Sequence, residues 1–74
     1  MKNIAESGYR IEMIGNRKAI IDGCDGVVDY GEEKIEFKIG RMTACISGRQ
    51  LKLVNLREDG AMVEGFISSL VYEY

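Results

Sequence analysis

Side chains able to do chemistry gather in the segment DGCDGVVDYGEE, residues 22–33, which is rich in carboxylates. A calcium loop of the EF-hand type needs acids or amides at its first, third and fifth positions, then a glycine and a distal glutamate. Counted from Asp22, the third and fifth positions are Cys24 and Gly26, so the pattern fails. The pair Glu32–Glu33 does not suit acid–base catalysis, because neighbours on a strand point to opposite faces. We therefore predict Asp-Gly turns beside a solvated acidic edge, and no metal site.

The serine and cysteine nucleophiles have no histidine to activate them, because the chain contains none. Histidine is the usual general base near neutral pH and the commonest metal ligand. Cys45 stands between two cations in sequence, but a small packed residue is its commoner role. Cys24 and Cys45 fit no zinc spacing and are expected to be reduced thiols. With no phosphate-binding glycine loop before a helix, the sequence predicts a protein that is not an enzyme and has no cofactor.

Length and charge indicate one small domain. The chain has 74 residues and a formal net charge of −2, and a domain near this size buries only about 60% of its unfolded surface. We expect a flexible N-terminal segment over residues 1–8 and a single β domain over residues 9–74. No apolar run reaches the length of a signal peptide or the roughly 20 residues of a membrane span, which predicts a cytoplasmic protein.

Alternation of apolar and polar residues predicts β-strands, and no window keeps a helical period. Gly-Asn at 15–16, Gly-Arg at 40–41 and Asp-Gly at 59–60 are turn signals. About seven short strands are predicted, over residues 9–14, 17–22, 27–30, 33–39, 42–47, 50–56 and 61–74. Gly48 is expected to take a turn conformation with positive φ between two of them. The last strand is expected to kink or bulge at Gly65.

Glycines recur every eight or nine residues, at Gly15, Gly23, Gly31, Gly40 and Gly48. This spacing suits an all-β antiparallel meander, curled into a small barrel or open sandwich. It also suits a short β-solenoid. The turn dipeptides favour the meander, because solenoid corners do not need hairpin turns.

The charges divide the chain into an acidic half, residues 22–36, and a basic half, residues 37–57, which contains no acid. Three interpretations compete. The halves pair as surface salt bridges, they join copies head to tail, or the basic half binds RNA or an anionic lipid surface. Nucleic acid is the least expected partner, since only Phe37 offers a stacking platform among the bases. The sequence does not separate the first two interpretations.

The C-terminal stretch FISSLVYEY carries little charge and many β-formers, and such an edge invites pairing with another chain. We therefore predict that residues 61–74 form an intermolecular contact. The candidate interaction surface comprises the bases of the basic half and the exposed apolar side chains near the C-terminus: Lys38, Arg41, Arg49, Lys52, Arg57, Phe66, Val71, Tyr72 and Tyr74.

From about Tyr9 to Tyr74, four motifs occur in a recognisable order: IIDG followed by GVVDY, KIEFKI before a glycine, ISGRQLKLVNL, and VEGFISSLVYEY. In this order and spacing the chain resembles the YabP/YqfC sporulation protein family. The resemblance implies a spore-forming bacterium, expression in the mother cell, and a place in its cytoplasm or at the forespore surface. It also implies a role in building the spore envelope. In one branch of the family, a larger membrane protein is encoded beside the gene. It carries over no site residues.

These observations lead to two hypotheses about function. The first is a non-enzymatic structural or scaffolding protein of the spore envelope, which forms homo-oligomers or binds a sporulation membrane protein. The alternative is a small binding module that uses the basic segment 37–57 for RNA or an anionic lipid surface.

Overall fold

The computed structural model describes residues 8–58 and 60–74, and in these residues it contains six β-strands and no helix. The strands are β1 (Arg10–Ile14), β2 (Lys18–Asp22), β3 (Gly26–Tyr30), β4 (Lys34–Ile39), β5 (Met42–Val54) and β6 (Gly60–Glu73). They form one sheet in the order β1-β2-β6-β5-β4-β3, in which all neighbours are antiparallel. The predicted antiparallel all-β fold is confirmed, and the solenoid alternative is excluded. The predicted N-terminal segment 1–8 lies almost wholly outside the described residues.

The last four strands, β3 to β6, form the predicted meander, and a long-range pairing joins it to the β1–β2 hairpin. The two registers Lys18↔Glu64 and Asp22↔Gly60 place β2 beside the first half of β6. Local alternation predicts each strand but not this pairing, because its partners are more than 35 residues apart in sequence. The sheet is open, with β1 and β3 as its outer strands.

The predicted strands 42–47 and 50–56 are a single long strand, β5, and the expected positive φ at Gly48 is wrong. A Cβ atom on Gly48 would overlap the carbonyl oxygen of Phe66, so glycine is needed where β5 and β6 approach closely. The expected kink at Gly65 is confirmed: its φ is +144°, and an added Cβ would lie 2.6 Å from the Gln50 carbonyl oxygen. The ladder shifts register here, and Gln50 itself has φ of 54°. Glycine on both strands therefore allows the sheet to bend.

The predicted hairpin turn at 15–16 is confirmed. Gly15 has φ of +57°, and the Arg17 N–H donates to the Ile14 carbonyl oxygen at 3.4 Å. The predicted Asp-Gly turn between β5 and β6 includes residue 59, which lies outside the described residues.

The core lies on the concave side of the bent sheet and draws side chains from β2, β4, β5 and β6. Phe37 is its largest fully buried member. The alternation predicted for β4 is confirmed, since Ile35, Phe37 and Ile39 are all buried. The cluster comprises Ala19, Ile21, Cys24, Ile35, Phe37, Ile39, Met42, Ala44, Ile46, Leu51, Ala61, Val63 and Ile67.

Candidate functional site

Among the described residues, the second half of β6 has a strand on one side only. β2 pairs with residues 60–64, and the Gly65 and Ile67 N–H groups then donate to the Arg17 and Asn16 carbonyl oxygens at 3.0 and 2.8 Å. Beyond Ile67, no strand within the described ranges 8–58 and 60–74 lies on that side, while β5 continues on the other. We call the backbone of residues 68–73 the β6 edge.

The pattern of the ladder identifies which backbone groups face outward along the β6 edge. The Gly48 N–H donates to the Glu33 carbonyl oxygen, so Gly48 faces β4. Residues of a strand face alternate sides, so Cys45 faces β6 and exchanges hydrogen bonds with its register partner Val71. The N–H and C=O groups of Leu70 and Tyr72 therefore point away from β5, toward the open side.

The side chains of the β6 edge are apolar at its centre. Leu70 and Tyr72 stand opposite Ile46 and Ala44 on the concave face of the sheet, while Val71 lies on the other face. The exposed fractions are 49% for Val71, 41% for Tyr72 and 97% for Tyr74. Burial, with Tyr9 and Tyr74 close by, raises the pKa of the Tyr72 phenol above 10.0.

The two outer strands of the sheet carry features that hinder pairing with another chain, whereas the β6 edge carries them only at its ends, where the register shifts at Ser68 and Glu73 is charged. On β1 the exposed side chains of Arg10 and Glu12 form an ion pair at 3.1 Å. On β3 the register shifts between Val27 and Asp29, and the Asp29 carboxylate accepts the Tyr30 N–H at 2.9 Å. Charges and bulges of this kind protect edge strands. From 66 to 72 the sequence FISSLVY has neither charge nor proline.

The predicted basic residues lie on β4 and β5 and in the turns beside them. Arg41 comes just before β5 and Arg57 after it, with Arg49 and Lys52 between them, so these bases are spread along a 13-residue strand. The fifth, Lys38, lies on β4 and donates to the Gly40 carbonyl oxygen at 2.8 Å.

Pairing between the acidic and basic halves is also sparse. Within the part of the chain that the structure describes, the ion pairs are Arg10–Glu12, Lys18–Glu64 and Lys34–Glu36, none of which joins the two halves. Among these residues, a charged side chain joins the halves where the Gly40 N–H donates to the Asp25 carboxylate at 2.9 Å.

A groove of about 520 Å³ at the bend of the sheet is a feature that the sequence analysis missed. Phe66 lines it, so this candidate residue lies in the groove and is separate from the β6 edge. The Arg17 guanidinium lies 4.2 Å from the centre of the Phe66 ring, and its Nε donates to the Gly65 carbonyl oxygen at 3.2 Å. The Arg17 guanidinium therefore contacts groups of β6. The pairing of β2 with β6 that joins Arg17 to Phe66 has no local sequence signal.

The two cysteines lie in different parts of the structure. Both are buried thiols, Cys24 in the core and Cys45 on the convex face of β5. The Cys45 Sγ atom lies 3.9 Å from the Ser47 Oγ atom, and the Ser68 hydroxyl donates to the Ser47 carbonyl oxygen. The described residues also contain no group of three potential metal ligands, and no helix long and apolar enough to cross a membrane.

Comparison with known proteins gives one finding about family. The model of the YabP family matches residues 5–74, which is nearly the whole chain. No curated protein and no solved structure matches it. The chain therefore belongs to the YabP family, and this membership associates it with sporulation.

Proposed function

We propose that this protein is a non-enzymatic structural protein of sporulation, which helps to build the spore envelope by offering the β6 edge to another chain. The chain that pairs with this edge is either a further copy or an envelope membrane protein. Family membership supports the sporulation context. The mode of action is supported by the β6 edge, which has no strand beside it among residues 8–58 and 60–74 and is uncharged from 68 to 72.

The chemistry of the edge suits strand addition. An exposed edge presents main-chain donors and acceptors to a second chain, and side-chain pockets on alternate residues add specificity. Leu70 and Tyr72 supply the outward-facing backbone groups, and Val71 supplies an exposed apolar side chain. An unprotected edge is unfavourable for a monomer, because it favours aggregation with other chains.

A sporulating strain that lacks the gene tests the proposal when it is complemented with wild type, Val71→Lys or Val28→Lys. Val28 is a matched control because it is an exposed valine of similar accessibility on β3, at 56% against 49%. We expect the wild type and Val28→Lys to restore the spore envelope seen by electron microscopy, and Val71→Lys to fail. An intact envelope in the deletion strain, together with a purified protein that is monomeric and binds no envelope component, would contradict the proposal.

A further inference from the structure

We infer that the chain that covers the β6 edge is a second copy of this protein, paired antiparallel about a twofold axis at Val71. This inference rests on the proposed function, and it specifies the partner and the register of the contact. Three observations support it: the direction of the backbone groups, the match between side chains across the axis, and the charges and bulge on the other edges of the sheet.

The backbone geometry allows a twofold contact centred on Val71. With the axis there, Leu70 of one copy lies opposite Tyr72 of the other, and these are the residues whose N–H and C=O groups point to the open side. Opposed residues of this kind exchange two hydrogen bonds in an antiparallel pair. The two symmetric pairs therefore form four backbone hydrogen bonds, with Val71 against Val71 at the close, non-hydrogen-bonded position between them.

Side chains match on the concave face when the sheet continues across the axis. The row that crosses it contains Ile46, Leu70, then Tyr72 and Ala44 of the second copy. Every member is apolar, and aromatic–aliphatic pairs across strands are stabilising. The contact thus covers the exposed part of the Tyr72 ring.

The convex face shows the same agreement. The central row contains Cys45 and Val71 of each copy, and it is flanked by Ser47, Ser69, then Glu73 and Thr43 of the second copy. Apolar residues meet apolar ones, and polar residues meet polar ones. An axis at Leu70 would pair Val71 with Ser69, and an axis at Tyr72 would pair it with Glu73, so the axis at Val71 gives the best match.

The remaining edges do not offer an equivalent partner. A head-to-tail contact between the β6 edge and β1 would set Arg10 and Glu12 against the uncharged centre of that edge, and the bulge on β3 breaks a regular ladder. A twofold contact uses the same edge of both copies, so it closes at two chains and does not grow into a filament. The expected species is a dimer of twice 8.3 kDa.

Solution mass of the full-length chain across a concentration series tests this inference, with charge variants at the axis. Val71→Lys sets two lysines opposite each other, so it raises the dimer dissociation constant by about tenfold or more. Val71→Glu has the same effect. An equimolar mixture of the two variants restores the dimer, because lysine then faces glutamate, and this recovery shows that the variants are folded. Val28→Lys leaves the dimer unchanged.

A disulfide at the axis tests the register directly. In Cys45→Ala/Val71→Cys the engineered thiols of two copies face each other about 4.5 Å apart at Cα, within the range for a disulfide. Cys45→Ala is included because Cys45 is the register partner of residue 71 and would compete for its thiol. Mild oxidation of the dimer is expected to give one cross-linked species of two chains.

The outcomes separate this inference from the proposed function. A dimer that Val71→Lys leaves intact, or one that Val28→Lys abolishes, overturns the twofold contact but leaves self-association standing. A chain that is monomeric at every concentration overturns the inference, while binding of an envelope membrane protein would still support the proposed function.

Discussion

Gly48→Ala tests whether β5 and β6 approach closely at the bend. The added Cβ would overlap the Phe66 carbonyl oxygen, and a backbone atom of a neighbouring strand cannot move aside as the end of a side chain can. The strands must therefore separate at the point where β6 passes from its contact with the β1–β2 hairpin to the β6 edge. Three backbone hydrogen bonds surround this point: Gly48 to Glu33 at 3.0 Å, Leu51 to Glu32 at 2.8 Å and Ile67 to Asn16 at 2.8 Å.

The expected loss of stability follows from these contacts. Overpacking costs about 1–3 kcal/mol, and each lost backbone hydrogen bond costs about 1 kcal/mol. With one or two bonds lost, we expect Gly48→Ala to lower the free energy of unfolding by about 3 kcal/mol. A chain of this length has about 4–11 kcal/mol in total. The melting temperature should therefore fall by roughly 12–24 °C.

Thermal unfolding followed by circular dichroism gives the measurement, in a Val71→Lys background so that association does not add to stability. Gly31→Ala is the matched control, because Gly31 has no left-handed φ and an added Cβ would lie 3.5 Å from its nearest neighbour. It should change stability by less than about 1 kcal/mol. Gly40→Ala isolates the effect of backbone conformation, since Gly40 has φ of +59° but open space around it. If Gly48→Ala melts like Gly31→Ala, the strands do not approach closely and the account of the bend is refuted.

Further substitutions test the core, the phenol at the edge and the thiols. Phe37→Ala removes the largest fully buried side chain, so it should cost about 3–5 kcal/mol of unfolding free energy. Phe66→Ala, at a ring that is 42% exposed, should cost far less in the same denaturant titration. The raised pKa of Tyr72 means that its phenol ionises first in the unfolded chain, so its stabilising effect is complete below pH 10.0 and is lost as pH rises through the folded value. Tyr72→Phe should therefore lose less stability in alkali, and an unchanged alkaline profile would contradict this. Cys24 and Cys45, which are 5% and 8% exposed, should react slowly with a thiol reagent in the native protein and fully after unfolding; rapid native labelling would argue against their burial.

Local patterns predicted the strands because each alternating run faces the core on one side. The run 33–39 alternates cleanly and is a strand with its three apolar residues buried. The turn at 15–16 was predictable for the same reason, since Gly-Asn between two runs favours a tight turn and Gly15 has the positive φ that such a turn uses. Signals contained within a few residues therefore gave correct elements.

The interpretation of Gly48 failed because glycine serves two purposes that the local sequence does not distinguish. It permits positive φ, and it permits close approach of another backbone. Only the second applies, and the approaching atom belongs to Phe66, 18 residues later.

The composition of the β6 edge was predictable from the sequence, but the reason for its exposure was not. An uncharged run of β-formers indicated a strand open to pairing, whereas its exposure depends on where a different strand ends. β2 begins at Lys18, directly after the Gly15–Asn16 turn, so the chain that pairs with β6 turns back at the level of Ile67. The six residues that follow have no described partner on that side.

The part of β6 that extends beyond the β1–β2 hairpin contributes to the core, and this contribution does not require an open edge. Residues 69–73 pair with β5 and bring Leu70 and Tyr72 over the concave face beside Ile46 and Ala44. A lysine in place of Val71 would leave those contacts intact, because residue 71 faces the opposite side of the sheet. A strand that served only the core could therefore carry a protective charge at this position at little cost to the fold. The core on the concave face therefore does not require an apolar residue there, whereas the proposed pairing with a second chain does.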